Sequence, residues 1–279
     1  MPVQDANLVR DAMIRCKRLG LTILSHCEDA DMVRNYAVNE GRVSRALGLP
    51  GRPAIAEEIM VMRDAMLAEE TGAAVHICHV STAGSVEIIR QFKKKGVAIT
   101  CETCPQYFTR TEDKVLEQGS LARVNPPLRT KLDVEAILEG LRDGTIDVIA
   151  TDHAPHSVEE KAKPLAEAPS GMVGLETALG VTLTALYHTG FMDLSDILKK
   201  MTFHPACILR IPKGRLSLGG EADFTIFSPD EEWTVEPDQF ASKGRNTPFK
   251  GRKLKGRVKY TIVGGRVVYG DEGGRADVV

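Results

Sequence analysis

Three apolar runs in this 279-residue chain, "LTILSH", "AAVHICHV" and "DVIATDH", stop at a side chain able to bind a metal or move a proton: His26, His79 and Asp152. Taken singly, a histidine in such a place is more often a hydrogen-bonded structural residue than a ligand. The string "TDHAPH" is different, because it puts Asp152, His153 and His156 just past an apolar run, ahead of a long polar loop that reaches Gly171. Desolvating clustered imidazoles and a carboxylate is costly unless they hold a metal or a substrate. Two imidazoles and a carboxylate from three strand ends suit zinc or a similar divalent ion. Such an ion polarises a carbonyl and lowers the pKa of a bound water to about 7. A nearby carboxylate can accept that proton and return it to a leaving nitrogen. The chemistry implied is hydrolysis or its reverse.

The remaining candidates read more blandly. Cys101 and Cys104 form a single C-x-x-C that closes an apolar strand, which points to packed thiols rather than a zinc knuckle or redox pair. His76 alternates away from His79 and is expected to be structural, as are His188 and His204 in helical stretches. "NPPLR" is a rigid turn whose prolines fix the directions of Asn125 and Arg129. "GGEADFTIF" lacks the helix start and Lys-Ser/Thr pair of a phosphate loop. The basic run from Lys250 to Lys259 reads as a solvated face.

The elements that must position these groups alternate. Helices are expected over 5–19, ending at Gly20, and over about 54–70, 83–95 and 132–142, with the apolar strands between them. Strands apolar on both faces and separated by helices belong to a parallel sheet covered by helices. Functional residues at the ends of several successive strands favour a barrel over an open sheet, where one switch point carries the chemistry. About four strand–helix units precede residue 210. The expected fold is therefore α/β: the second half of a (β/α)8 TIM-type barrel, a partial metal-dependent hydrolase barrel over 1–210. Short alternating strands with Gly turns follow, among them a hairpin signal at Gly264-Gly265, and predict a small C-terminal β appendage over 211–279.

Composition narrows the class. Lys plus Arg number 36 against 38 Asp plus Glu, with no basic stripe, which argues against nucleic acid or a membrane surface as partner. No apolar run approaches the ~18 residues that span a bilayer, and no charged-then-apolar leader opens the chain. Six cysteines scattered without pairing rhythm fit a reducing compartment, and the expected location is cytoplasmic.

The strings "SHCED", "HICHVST", "RVNPPLR", "TDHAPHSVEEK", "SGMVGLETALG" and "GRNTPFKGRKLKGRVKYTIVGGRVVY" resemble dihydroorotases, the bacterial type I branch of the cyclic-amidohydrolase superfamily, in order and along almost the whole chain. The resemblance implies a binuclear zinc centre in which His26 and His79 bind one metal and Asp152 binds the other and shuttles the proton. It further implies that Asn125 and His156 hold the substrate carboxylate and ring, with the backbone at Ser170 and Gly171 on the ring amide. The implied reaction is the reversible cyclisation of carbamoyl-aspartate to dihydroorotate in pyrimidine synthesis. Two departures qualify it. "CPQY" stands where the family usually has a Pro-His-His string and is reminiscent of hydantoinases; the family's His-x-His-x-Arg motif has no counterpart here. The chain is thus expected to lack the N-terminal half of the site, so that its zinc centre is incomplete. It is also expected to associate with itself or with another chain that covers the open half barrel. The competing readings are a non-catalytic partner or scaffold subunit, and a hydantoinase- or dihydropyrimidinase-like enzyme.

Overall fold

The computed structural model describes residues 3–34 and 36–270. They group into two compact units: residues up to Leu175 together with Pro237–Pro248, and Glu176–Glu236 together with the residues from Phe249 onward.

In the first unit the strands are β1 (Thr22–Ser25), β2 (Val38–Asn39), β3 (Gly51–Arg52), β4 (Ala74–Ile77), β5 (Ile99–Thr103) and β6 (Val148–Ile149). Four of them form one sheet in the order β1-β4-β5-β6, parallel throughout, with Leu24 opposite His76, His76 opposite Thr100 and Thr103 opposite Ile149. The spatial order follows the chain order because a helix crosses over between each pair: Ile55–Thr71, Ala83–Lys94 and Lys131–Asp143. β2 and β3 make a separate two-stranded parallel ladder.

Local chemistry fixes these elements. The first helix, Ala6–Leu19, starts where Asp5 accepts from the Asn7 and Leu8 amides and stops at left-handed Gly20. Thr130 and Asp133 close a capping box on Lys131–Asp143. Val75, Ile77, Ile99 and Cys101 are buried on one side of the sheet, together with Val86, Ile89 and Phe92 of the helix Ala83–Lys94. Strand alternation sends His76, Thr100 and Glu102 to the other side. There His76 bonds Thr100 Oγ1 at 2.8 Å and lies 3.2 Å from Glu102 Oε2.

The second unit carries β7 (Phe224–Thr234), β8 (Lys253–Val263) and β9 (Arg266–Gly270), an antiparallel sheet in that order. Gly264 and Gly265, both at positive φ, turn the β8–β9 hairpin. The β-rich part expected from residue 211 does not stand apart from the helices before it: the unit begins at Glu176 and includes the helices of 178–209. The packing explains why. Gly180 lies against Trp233 and Leu254, and Thr184 Oγ1 accepts from the Lys255 amide at 2.8 Å. In β8, buried Leu254 sits between exposed Lys253 and Lys255, so that part of the basic run is a solvated face.

Candidate functional site

His26 follows β1 and His79 follows β4, so two adjacent parallel strands deliver their imidazoles to one end of the sheet. His26 Nδ1 and His79 Nε2 are 2.8 Å apart, with the rings edge to face at 4.7 Å. Two nitrogens bound to one tetrahedral zinc at ~2.0–2.1 Å each stand roughly 3.3 Å apart, so the pair is about half an ångström from ligating separation. Burial draws the His79 pKa below the usual imidazole value and the neighbouring His26 adds to this, against the carboxylates of Asp152, Glu57 and Glu102. A neutral imidazole is the form that binds a metal. His79 Nδ1 is buried without a hydrogen-bond partner among the described residues. A second nitrogen inside the fold with nothing to bond is costly unless it meets a ligand.

Asp152 follows β6 and, like His79, adopts a left-handed backbone, φ 47° against 38°. A non-glycine residue seldom takes that conformation, and such strain concentrates at functional sites. Burial raises the Asp152 pKa; His79 and His26 pull it back, and Glu102 pushes it up again. The carboxylate therefore senses both imidazoles. Among the described residues, however, no three His, Cys, Asp or Glu side chains assemble into a group that could hold a metal ion. The structure joins the two imidazoles by a hydrogen bond and leaves Asp152 outside it. The donor set nevertheless fits zinc as a partial one: two convergent ring nitrogens, one of them on a ring whose pKa burial draws down, and a carboxylate within electrostatic reach.

Asn125 precedes a cis peptide to Pro126. Its Oδ1 accepts from Arg52 Nη1, and its Nδ2 reaches Glu28 Oε2 at 3.5 Å. Arg52 also donates to Glu28 Oε1 and to the Tyr36 carbonyl. Glu28 in turn lies 3.6 Å from His26 Nε2. Burial alone would raise the Glu28 pKa, but bonding to His26 and the charge of Arg52 outweigh it and the net shift is downward. Glu28 thus bridges a candidate metal ligand and a candidate substrate residue. Beside it, buried Glu57 accepts from the Ser81 and Thr82 amides and pairs with Arg129 at 3.7 Å. Arg129 also donates to Asn39 Oδ1 at 2.8 Å and to the Arg52 carbonyl at 3.0 Å.

The last three expected site residues sit together. His156 Nε2 lies 3.0 Å from the Ser170 carbonyl, and the His156 amide donates to Asn246 Oδ1 at 3.0 Å. Asn246 Nδ2 bonds the Gly171 carbonyl, and the Gly171 amide bonds the Arg123 carbonyl at 2.9 Å. Gly171 is at φ 138°, and a Cβ there would fall 2.6 Å from Ala154 Cβ, so only glycine fits. His153 is a structural residue: its Nδ1 accepts from the Gly174 and Leu175 amides. Cys101 and Cys104 are buried cysteines. Sequence reasoning missed Glu28, Arg52, Glu57, Arg123, Lys161 and Asn246. The one available signal was the Ser157-x-x-Glu160 capping box that precedes Lys161.

The amidohydrolase family model matches residues 2–268. The chain belongs to the amidohydrolase family. Within that family, it is 55% identical over 271 residues to a protein named dihydroorotase from Pelotomaculum thermopropionicum, covering 97% of this chain and 64% of the relative. It is 47% identical to one from Clostridioides difficile, covering 96% of this chain and 63% of the relative. Among solved structures, an L-hydantoinase (dihydropyrimidinase) from Arthrobacter aurescens superposes with TM-score 0.86 at 28% identity, over 95% of this chain and 61% of its own. A dihydropyrimidinase from Brevibacillus agri superposes with TM-score 0.85 at 23% identity, a likeness of fold alone, over 98% and 62%. The chain therefore spans less than two thirds of the relatives it matches.

Proposed function

We propose that this chain carries part of the active site of a dihydroorotase, a zinc amidohydrolase that interconverts carbamoyl-aspartate and dihydroorotate. The observation that carries the reading is the convergence of His26 Nδ1 and His79 Nε2 from adjacent strand ends, in a chain up to 55% identical to proteins named dihydroorotase. In this reading His26, His79 and Asp152 hold zinc, which when bound polarises the ring carbonyl and supplies hydroxide at neutral pH. Asp152 takes the proton and returns it to the ring nitrogen, a task suited to a carboxylate whose pKa burial has raised. Asn125 and His156 bind and orient the substrate carboxylate and ring. The backbone at Ser170 and Gly171 meets the ring amide, its direction set by His156 Nε2 and the Arg123 carbonyl. Glu28 orients His26 from the side away from His79.

Four parallel strands in chain order support the half-barrel reading of the sheet. An exposed Leu24 on the edge strand β1, and a cavity of about 270 Å³ lined by Val3, Leu8, Ile23, Leu24 and His26, support association through that edge. The partner is a second copy or a chain completing the barrel, in the cytoplasm. Size-exclusion mass tests this: a stable isolated monomer contradicts it.

A second reading keeps the chemistry and changes the ring to a hydantoin or dihydropyrimidine. The "CPQY" string at Cys104–Tyr107 and the likeness to hydantoinase structures favour it. Assay of the zinc-loaded chain, alone and with the complementary N-terminal segment of a relative, separates the two. Turnover of dihydroorotate supports the first reading; preference for dihydrouracil or hydantoin overturns it. A complex that binds no zinc and turns over neither is a scaffold.

A further inference from the structure

Four buried cations surround the residues proposed to hold the substrate, and only two of them are matched. Arg52 is paired with Glu28, and Arg129 with Glu57. Arg123 and Lys161, 8% and 5% exposed, have no carboxylate partner among the described residues. Lys161 Nζ donates to three carbonyls instead, those of Arg123 (3.3 Å), Pro169 (2.9 Å) and Gly171 (3.1 Å). Arg123 donates to the Leu165 carbonyl and to Ser170 Oγ. The nearest acid in sequence, Glu160, is turned to the Ser157 amide and to His156 Nδ1.

Two unmatched positive charges inside a protein are expensive, and each makes the other worse. Their surroundings register the strain. Burial and the neighbouring Arg123 draw the Lys161 pKa down to about 8, and burial and Arg52 lower that of Arg123. Lys161 is not needed merely to satisfy its carbonyls. The Arg123 carbonyl keeps the Gly171 amide and the Gly171 carbonyl keeps Asn246 Nδ2, so only the Pro169 oxygen depends on it. An anion beside the Ser170–Gly171 loop would turn this liability into attraction.

We infer that Arg123 and Lys161 are positioning residues that make the Ser170–Gly171 loop, with Asn125 and His156, selective for a ring bearing a carboxylate. The inference rests on the proposed function and adds to it the electrostatic origin of substrate choice. Both cations act from behind the loop: their donors stay on the protein, and their charge reaches the ligand through the site.

Calorimetric binding to the zinc-loaded chain tests it, with dihydroorotate as the charged ring and dihydrouracil as the same ring without its carboxylate. The unaltered chain is expected to favour dihydroorotate. Lys161→Met and, independently, Arg123→Met are expected to weaken dihydroorotate on the order of tenfold, the scale of one unit charge roughly 12 Å away at an effective dielectric of about 20. They should leave dihydrouracil unchanged, and Arg123→Lys, which keeps the charge, should restore most of the preference. A purely structural role would weaken both rings alike and overturns the inference, as does full retention of the preference in both Met variants. If the unaltered chain prefers dihydrouracil or binds neither ring, the proposed function falls as well; if it prefers dihydroorotate and the variants do too, only the inference falls. Thermal melts of each variant establish that it is folded, and either Met variant alone suffices.

Discussion

His26 Nδ1 and His79 Nε2 meet at 2.8 Å although 53 residues separate them. The parallel pairing of β1 with β4 brings this about: with Ser25 opposite Ile77, the residues leaving the two strands emerge side by side. Asp152 leaves the same sheet two strands further on, after β6. The candidate site follows from strand order: the sheet brings the two imidazoles into hydrogen-bonding distance, and Asp152 comes from the same sheet without joining that bond.

Asp152→Asn removes both a candidate metal ligand and the group proposed to move the proton. Turnover by the chain combined with the N-terminal segment of a relative should fall at least ~100-fold, within the range of lost acid–base catalysis. Near-normal kcat would refute the role.

Arg129 is a buried cation shared by Glu57, Asn39 and the Arg52 carbonyl. Arg129→Ala leaves Glu57 buried without its counter-charge, and such losses cost about 3–5 kcal/mol. The urea midpoint should drop markedly, whereas Arg10→Ala, which breaks an exposed pair with Glu70, should shift it little.

Lys161 supplies a pH signature. Its folded pKa of about 8 lies below the unfolded value near ~10.4. Between those limits the unfolded chain holds a proton that the folded chain has shed, so resistance to unfolding rises with pH across that window. Below about pH 8 both states are protonated and the contribution is flat. Urea midpoints of the native chain minus those of Lys161→Met should climb from pH 8 towards 10; a flat difference would contradict the burial of this charge.

What could be read from the residues, and what could not, follows from the range of the forces involved. The apolar runs before His79 and Asp152 are legible because a strand buried on both faces leaves a continuous signal, whereas the run before His26 forms the edge strand β1, in which Leu24 is exposed. The helix end at Gly20 is legible because capping is local chemistry, whereas the capping box of Thr130 and Asp133 goes unread in the sequence. The two-residue strands Val38–Asn39 and Gly51–Arg52 are too short to show a period. The charged network was hidden for another reason. Arg52, Arg123 and Lys161 look like solvated residues in the chain, and only tertiary packing buries them. Lys161 in "VEEK" is the clearest case, since the acidic turn around it reads as an exposed helix face. The helices of 178–209 group with the sheet that follows them, which the chain does not announce because nothing local tells a helix which sheet it will cover.

Zinc titration of the purified chain, followed through the imidazole resonances of its seven histidines, bears most directly on whether strand ends build a cation pocket. The account predicts that His26 and His79 shift together at one saturating stoichiometry, that His188 and His204 stay still, and that His79→Ala weakens zinc at least ~100-fold. Zinc that moves only other histidines, or binding untouched by His79→Ala, would contradict it.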